Sequence, residues 1–237
     1  SRVQHPDFMS GVAGAAAVTA ALLYRDRTGK GQYIDGAQIE AGAYLLGPHY
    51  LDYIVNGRIA SPTGNHRAGA APYGSYPCAG DDKWCAISVR GQDEWQRFCQ
   101  AIGNPAWCKD ERFASPLARQ HNLSELDRLV GEWTTQRSAD EVMDILQRAG
   151  VAAAPIQDVE DQLRNPHFAA RNLFVSLEEP EMGPVLTEYL PVRLSETPAQ
   201  IRAPAPLLGE HTEQVLRDVL HLDEKTIAQL TEEGVLR

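Results

Sequence analysis

From about Phe8 to Tyr24 the chain is an alanine-rich run with Gly11 and Gly14 on its early turns, and Gly29 and Gly31 stand just past its end. Alanine is the strongest helix former, and glycine beyond the last turn supplies the left-handed residue that stops a helix. Arg25, Arg27 and Lys30 sit near that end, where cations suit the helix dipole. Small residues on the early turns suit close packing against another backbone. Gln32-Tyr33-Ile34-Asp35 then reads as a short strand. Gln38 to Val55 reads as a second, amphipathic helix that Asn56-Gly57 terminates. Helix, glycine turn, strand and helix together are α/β punctuation and imply a parallel sheet.

Downstream the signals change. Residues 61–74 carry no periodicity. Ser75–Ala79 and Lys83–Val89 flank Gly80-Asp81-Asp82, a hairpin signal. Helices are expected over Gln92–Ile102, Leu123–Thr135 and Ala139–Ala149. Gly150 ends the last of these and leads into a strand, Val151–Ile156, after which Asp158 caps a short helix. Phe174 to Leu194 alternates like hairpin strands, and Pro198 to Pro206 is a proline-studded linker. Gly209-Glu210-His211-Thr212 opens the closing helices, with Leu216, Val219, Leu220 and Leu222 on one face. Trp84, Trp95 and Phe98 belong to a core.

Composition limits the function. A formal net charge of −10 over 237 residues leaves no basic surface for nucleic acid. The apolar stretch from Gly11 to Leu23 is shorter than the roughly 20 residues that span a bilayer, so no membrane partner is expected. It also lacks the basic start of a signal peptide. Cys78, Cys85, Cys99 and Cys108 form no Cys-x-x-Cys pair and have no histidine pair beside them. They read as reduced, mostly buried thiols of a cytoplasmic protein, with no metal site. The first residue is Ser, and a recognisable element follows almost at once, which suggests a fragment, a processed chain or one half of a split protein.

Chemistry concentrates in two places. Asp7, in His5-Pro6-Asp7-Phe8-Met9-Ser10-Gly11, stands at the mouth of the first helix. An aspartate there is commonly only an N-cap, accepting hydrogen bonds from unpaired amides. The same amides and the helix dipole also hold a carboxylate as an anion able to attack an acyl carbon. The second place is Gly64-Asn65-His66-Arg67-Ala68-Gly69-Ala70-Ala71-Pro72-Tyr73-Gly74, a nearly uncharged loop. It suits either a linker or a mobile lid, and Arg67 suits a substrate carboxylate. Thr28-Gly29-Lys30-Gly31 lacks Walker spacing and follows a helix, so it is no phosphate loop. Arg25, Arg27 and Lys30 read as solvated helix-end charges. The scattered histidines make no Ser-His-Asp arrangement.

In order and separation, these motifs resemble the class III CoA-transferases, the family of formyl-CoA transferase and the carnitine CoA-transferases. Gly80-Asp81-Asp82-Lys83-Trp84, Gly150-Val151 with Pro155, Asn165-Pro166-His167 and Pro206-Leu207-Leu208-Gly209-Glu210-His211 extend the likeness over essentially the whole chain. It corresponds to the part of a family member from the catalytic aspartate onward. The resemblance implies an α/β fold with a Rossmann-like large domain and a small α+β domain, two chains being threaded through each other as a dimer. Residues 1–57 would end the first large-domain segment, 58–160 would form the small domain, and 161–237 would return to the large one.

Asp7 would be the nucleophile, with Asp7 to Gly11 keeping the family's Asp-x-x-x-Gly spacing. Gly64, Asn65, His66, Arg67, Gly69, Ala70 and Ala71 would bind substrate. Arg67, Ala68, Gly69 and Ala70 stand where the family has a run of glycines, and the loop would act as a lid that excludes water. The substrates implied are an acyl-CoA thioester and a small carboxylic acid, with no permanently bound cofactor and no metal. The partner would be a second copy, or an upstream half-subunit if the protein is split. Two alternatives stay open: an acyl-CoA racemase of the same superfamily, and a non-catalytic partner or truncated subunit.

Overall fold

The computed structural model describes residues 5–236; residues 1–4 and 237 of the expected first and last segments lie outside them. Helix α1 runs His5–Thr28. Gly29 ends it at φ +71°, and its N–H donates to the Arg25 carbonyl (2.7 Å). Asp7 is itself helical, in the first described turn of α1, and not a cap outside the helix. At 24 residues, α1 is long and apolar enough to cross a membrane by length and composition, which corrects the shorter span expected from the sequence. A core helix satisfies the same criteria. None of its residues is buried, and Gly11 and Gly14 face open space among the described residues.

Residues 32–35 form no strand. An isolated strand leaves its N–H and C=O groups unpaired, and no described segment forms a ladder with this one. The expected second helix is two: α2 (Gln38–Tyr44) and α3 (Gly47–Asn56). Pro48 explains the break, since it brings no N–H and its ring clashes with the carbonyl four residues back. Gly57 ends α3 at φ +67°, with its N–H on the Tyr53 carbonyl (2.8 Å).

Strands β1 (Tyr73–Pro77), β2 (Trp84–Ser88) and β3 (Ala152–Ile156) form an antiparallel sheet in that order, with Pro77 opposite Trp84 and Trp84 opposite Ile156. The parallel sheet expected from the helix-strand punctuation is therefore absent among the described residues. The β1–β2 turn takes left-handed geometry at Gly80 (φ +113°) and Asp82 (φ +49°), conformations that glycine and aspartate tolerate best. Helices α4 (Gln92–Ala101), α5 (Pro116–His121), α6 (Leu123–Thr134) and α7 (Ala139–Arg148) follow β2. Between α4 and α5, two 3-10 turns carry Trp107 and Phe113. α6 packs on β1, and α7 on β2 and β3.

The core lies between these helices and one sheet face. Cys85 and Ile87 point inward from β2, meeting Val142 and Leu146 of α7, Leu126 and Val130 of α6, and Phe98 of α4. Trp95 stacks on Phe98 at 5.7 Å, and Trp107 meets Phe113 edge-on at 6.2 Å. Among the described residues, every buried apolar one except Ile227 falls between Ala70 and Ala153.

Beyond the core come α8 (Val159–Arg164), α9 (Pro166–Ala170) and the hairpin of β4 (Phe174–Glu179) with β5 (Gly183–Glu188). Asp158 caps α8 in a reciprocal box with Asp161. The chain closes with α10 (Thr212–Asp218) and α11 (Glu224–Glu232). Val219 and Leu220 lie past the end of α10 and are exposed, so the expected four-residue apolar face is not a continuous helical stripe.

Candidate functional site

Successive strand residues point to opposite sheet faces, so the face turned away from the core carries the alternate set. Over part of the sheet that set is small, Ala86 and Ser88 of β2 with Ala152 and Ala154 of β3, while the larger Trp84 and Ile156 lie beyond the cleft at the other end. Short side chains leave the face recessed, and the segment Gly64–Arg67 stands as a wall over it. Together they bound a cleft of about 820 Å³, with Tyr73, Ser88 and Gln147 at its margins. Gln147 is fixed there by donating Nε2 to the Ala153 carbonyl (2.8 Å).

The upstream part of the wall is held lightly. Asn65 Nδ2 donates to Ser75 Oγ at 3.4 Å, and His66 Nδ1 stands 4.0 Å from Asp127 Oδ2. Asp127, on α6, is itself held by the buried Tyr76, whose hydroxyl donates to Oδ1 at 2.7 Å. Burial, and then the Asp127 charge, push the Tyr76 phenol well above its ordinary pKa, so it stays a donor. Arg67 is exposed and forms no ion pair among the described residues, so its charge is available to an anionic ligand.

The downstream part is tied firmly to α5. Gln120 Nε2 donates to the carbonyls of Arg67 (2.9 Å) and Ala70 (2.8 Å), and Arg119 Nε donates to that of Ala71 (3.0 Å). Ala71 N–H donates to the Val89 carbonyl and Val89 N–H to that of Pro72, which joins the loop end to β2. Ala70 and Ala71 are consequently buried. They stand behind the wall, whereas Gly64, Asn65, His66 and Arg67 line the cleft and Gly69 makes the turn at φ +80°. Residues 67–71 are thus tied to α5 and β2, whereas the contacts of Asn65 and His66 outside the loop are longer.

Asp7 occupies a separate place. It is exposed in the first turn of α1, and its Oδ1 accepts a hydrogen bond from Nε2 of Gln38, the first residue of α2. The two helices approach closely there: a Cβ on Gly42 would lie 3.3 Å from Pro6 Cγ. No α1 residue lines the cleft. Gln38, Arg119, Gln120, Asp127 and Gln147 were not anticipated. Gln38 is adjacent to a legible helix start; the other four sit in sequence with nothing to mark them.

A family model described as CoA-transferase family III matches residues 1–212. Among curated relatives, a probable CoA-transferase of Mycobacterium tuberculosis is 34% identical over 232 residues, covering 98% of this chain and 29% of that protein. A succinyl-CoA–D-citramalate CoA-transferase of Chloroflexus aurantiacus is 32% identical over 230 residues, covering 97% of this chain and 57% of that protein. Among solved structures, a CAIB/BAIF family protein from Brucella suis matches with a TM-score of 0.80 at 28% identity, over 92% of this chain and 56% of that one. The chain thus spans little more than half the length of these relatives, or less. The match over nearly the whole of this chain, in sequence and in fold, identifies it as a member of CoA-transferase family III.

Proposed function

We propose that this chain carries the nucleophile and an acid-binding wall of an enzyme that moves coenzyme A from an acyl-CoA to a carboxylic acid. The observation that carries the reading is the Asp7 carboxylate, set in the first turn of a long helix and oriented by Gln38 within a chain of this family. The Gln38 amide aims one carboxylate oxygen and leaves the other for attack on an acyl carbon.

The reaction follows in balanced steps. Asp7 attacks the donor's thioester carbon, forming a mixed anhydride and releasing CoA thiolate. The thiolate attacks the Asp7 carboxyl carbon, giving an aspartyl-CoA thioester and the free donor acid. The acceptor carboxylate attacks that thioester to form a second anhydride, and the returning thiolate takes the acceptor's acyl group and restores Asp7. Splitting one hard exchange into anhydride and thioester steps is the advantage of covalent catalysis. The cleft beneath Gly64–Arg67 would take the small acid, with Arg67 pairing its carboxylate. Relatives named for citramalate, glutarate and oxalate support small acids as the substrate class. Coenzyme A is then a substrate, not a resident cofactor, and the working assembly is a dimer containing the remainder of the family's length.

The test is Asp7→Asn in that assembly, assayed by CoA exchange against a panel of acids. Loss of roughly 10³-fold or more is expected, with hydroxylamine trapping an adduct on the Asp7 peptide of the parent enzyme. Turnover retained within about tenfold would refute the covalent role. Exchange of an α-proton with no adduct would assign the protein as a racemase instead.

A further inference from the structure

We propose that Gln120, together with Arg119 before it, is the positioning residue of this site: α5 sets where the cleft wall stands, and so which acids fit beneath it. The inference rests on the reading of Gly64–Arg67 as a substrate wall. Two consecutive side chains on α5 donate to three backbone carbonyls within the five residues Arg67–Ala71. The Gln120 amide spans the turn, bonding the carbonyls at both of its ends, while Ala70 N–H closes back on the Arg67 carbonyl at 3.3 Å.

Arg119 transmits the position of the core. It is 1% exposed, lies over the Trp95 ring at 4.7 Å, and donates Nη1 to Gln92 Oε1 and the Phe113 carbonyl, both at 3.0 Å. A buried side chain so fully engaged cannot follow a moving loop. Upstream of Arg67 the loop bonds within itself, Thr63 with His66, and its contacts to the rest of the domain lengthen to 3.4 and 4.0 Å, so the clamp is where the wall is set. A wall fixed in advance selects by fit, without paying the ordering entropy of a closing loop.

The test uses Gln120→Ala and Gln120→Glu; the second keeps the length and removes both donors. Gln120 is only partly buried, so both variants should fold, which a single cooperative urea transition with the parent's slope checks. Trypsin must cleave the Arg67–Ala68 bond, whose carbonyl is the one Gln120 holds. Cleavage there should rise at least about fivefold in both variants, the least that losing two ordinary hydrogen bonds implies for local opening. Cleavage after Arg58, outside the clamp, should not change. In the CoA-exchange assay, KM for the acid should rise several-fold with kcat changed less. Unaltered cleavage after Arg67 overturns the clamp. Faster cleavage with acid KM and kcat both unchanged overturns the positioning role. Absence of any Asp7 adduct in the parent enzyme overturns the reaction assignment, and the cleavage result stands apart from it.

Discussion

Arg119 tests how the core holds a buried charge with no carboxylate partner among the described residues. Its donors reach the Ala71 and Phe113 carbonyls, Gln92 Oε1 and, at 3.4 Å, the Gly91 carbonyl. Replacement by methionine would keep the stem's packing and remove the fork. Gly91 O still accepts from Trp95 N–H, and Gln92 can turn its amide, so two backbone carbonyls are orphaned. At about 1–3 kcal/mol for each orphan, with about 1–2 kcal/mol for the lost contact with Trp95, the penalty is about 3–8 kcal/mol. Against it stands relief from holding a desolvated guanidinium; burial does push its pKa down. That relief is worth several kcal/mol for an ideal buried ion, less where the guanidinium stacks and bonds this fully. The expected net loss for Arg119→Met is about 3 kcal/mol, or ~1.5 M in urea midpoint at a slope near 2 kcal/mol/M.

Arg119→Lys discriminates between the two contributions. It keeps the charge, loses the fork, and places a more strongly hydrated ammonium in the same site. If desolvation matters as argued, Lys should fall below Met. Urea titration followed by tryptophan fluorescence reads the order, since Trp95 lies against the substituted side chain. A methionine variant within 1 kcal/mol of the parent, or a lysine variant above methionine, would refute the reasoning.

Two further outcomes follow from charge and burial elsewhere. Burial, with Cys78 nearby, pushes the Cys85 thiol up to about 12, so at pH 8 only about 10⁻⁴ of it is thiolate. Iodoacetamide should leave Cys85 unmodified in the folded chain and label it in urea; native labelling would contradict its placement in the core. Lys83 Nζ lies 2.8 Å from both Asp158 and Asp161, holding the Asp158 carboxyl below its usual range while its own pKa is raised. A depressed acid stabilises above its unfolded value near ~3.9 and a raised base below ~10.4, so the Tm gap between parent and Lys83→Met should be flat from about pH 5 to 9 and close below about pH 4. A gap that persists in acid would show that the lysine acts through packing.

The legible features were those set locally. Gly80 and Asp82 announce the hairpin because the left-handed turn is a property of those residues, and Asp158 announces a helix start through its own side chain. The 32–35 strand failed because pairing depends on a neighbour that sequence does not name. The α2–α3 break was readable from Pro48 and was overridden by the apolar period on either side. In the site, the lack of periodicity over 61–74 marked the loop, and its cleft-lining half was chosen with its buried half. What separates the halves is contact with Arg119 and Gln120, some fifty residues downstream in a short helix with no amphipathic pattern.

That contact changes how the reaction can be protected from water. On the proposed reaction, a mixed anhydride on Asp7 would be hydrolysed wherever solvent reached it, so the site would have to close during turnover. A loop closing like a lid was the expected device, but its downstream half is held by α5 and by β2, and α5 is held in turn by the core. Asp7 itself is exposed, and the helix that carries it presents Phe8, Val12, Leu22 and Leu23 to solvent. On the proposed reaction, water exclusion would then fall to a surface packed against α1 and not to movement of residues 67–71. On this account the wall supplies selectivity and the cover over α1 supplies dryness, two tasks carried by different parts of the assembly. Gln120 variants should therefore alter which acid is used without raising the rate at which acyl-CoA is lost to hydrolysis. Hydrolysis that rises in step with cleavage after Arg67 would return the lid role to the loop.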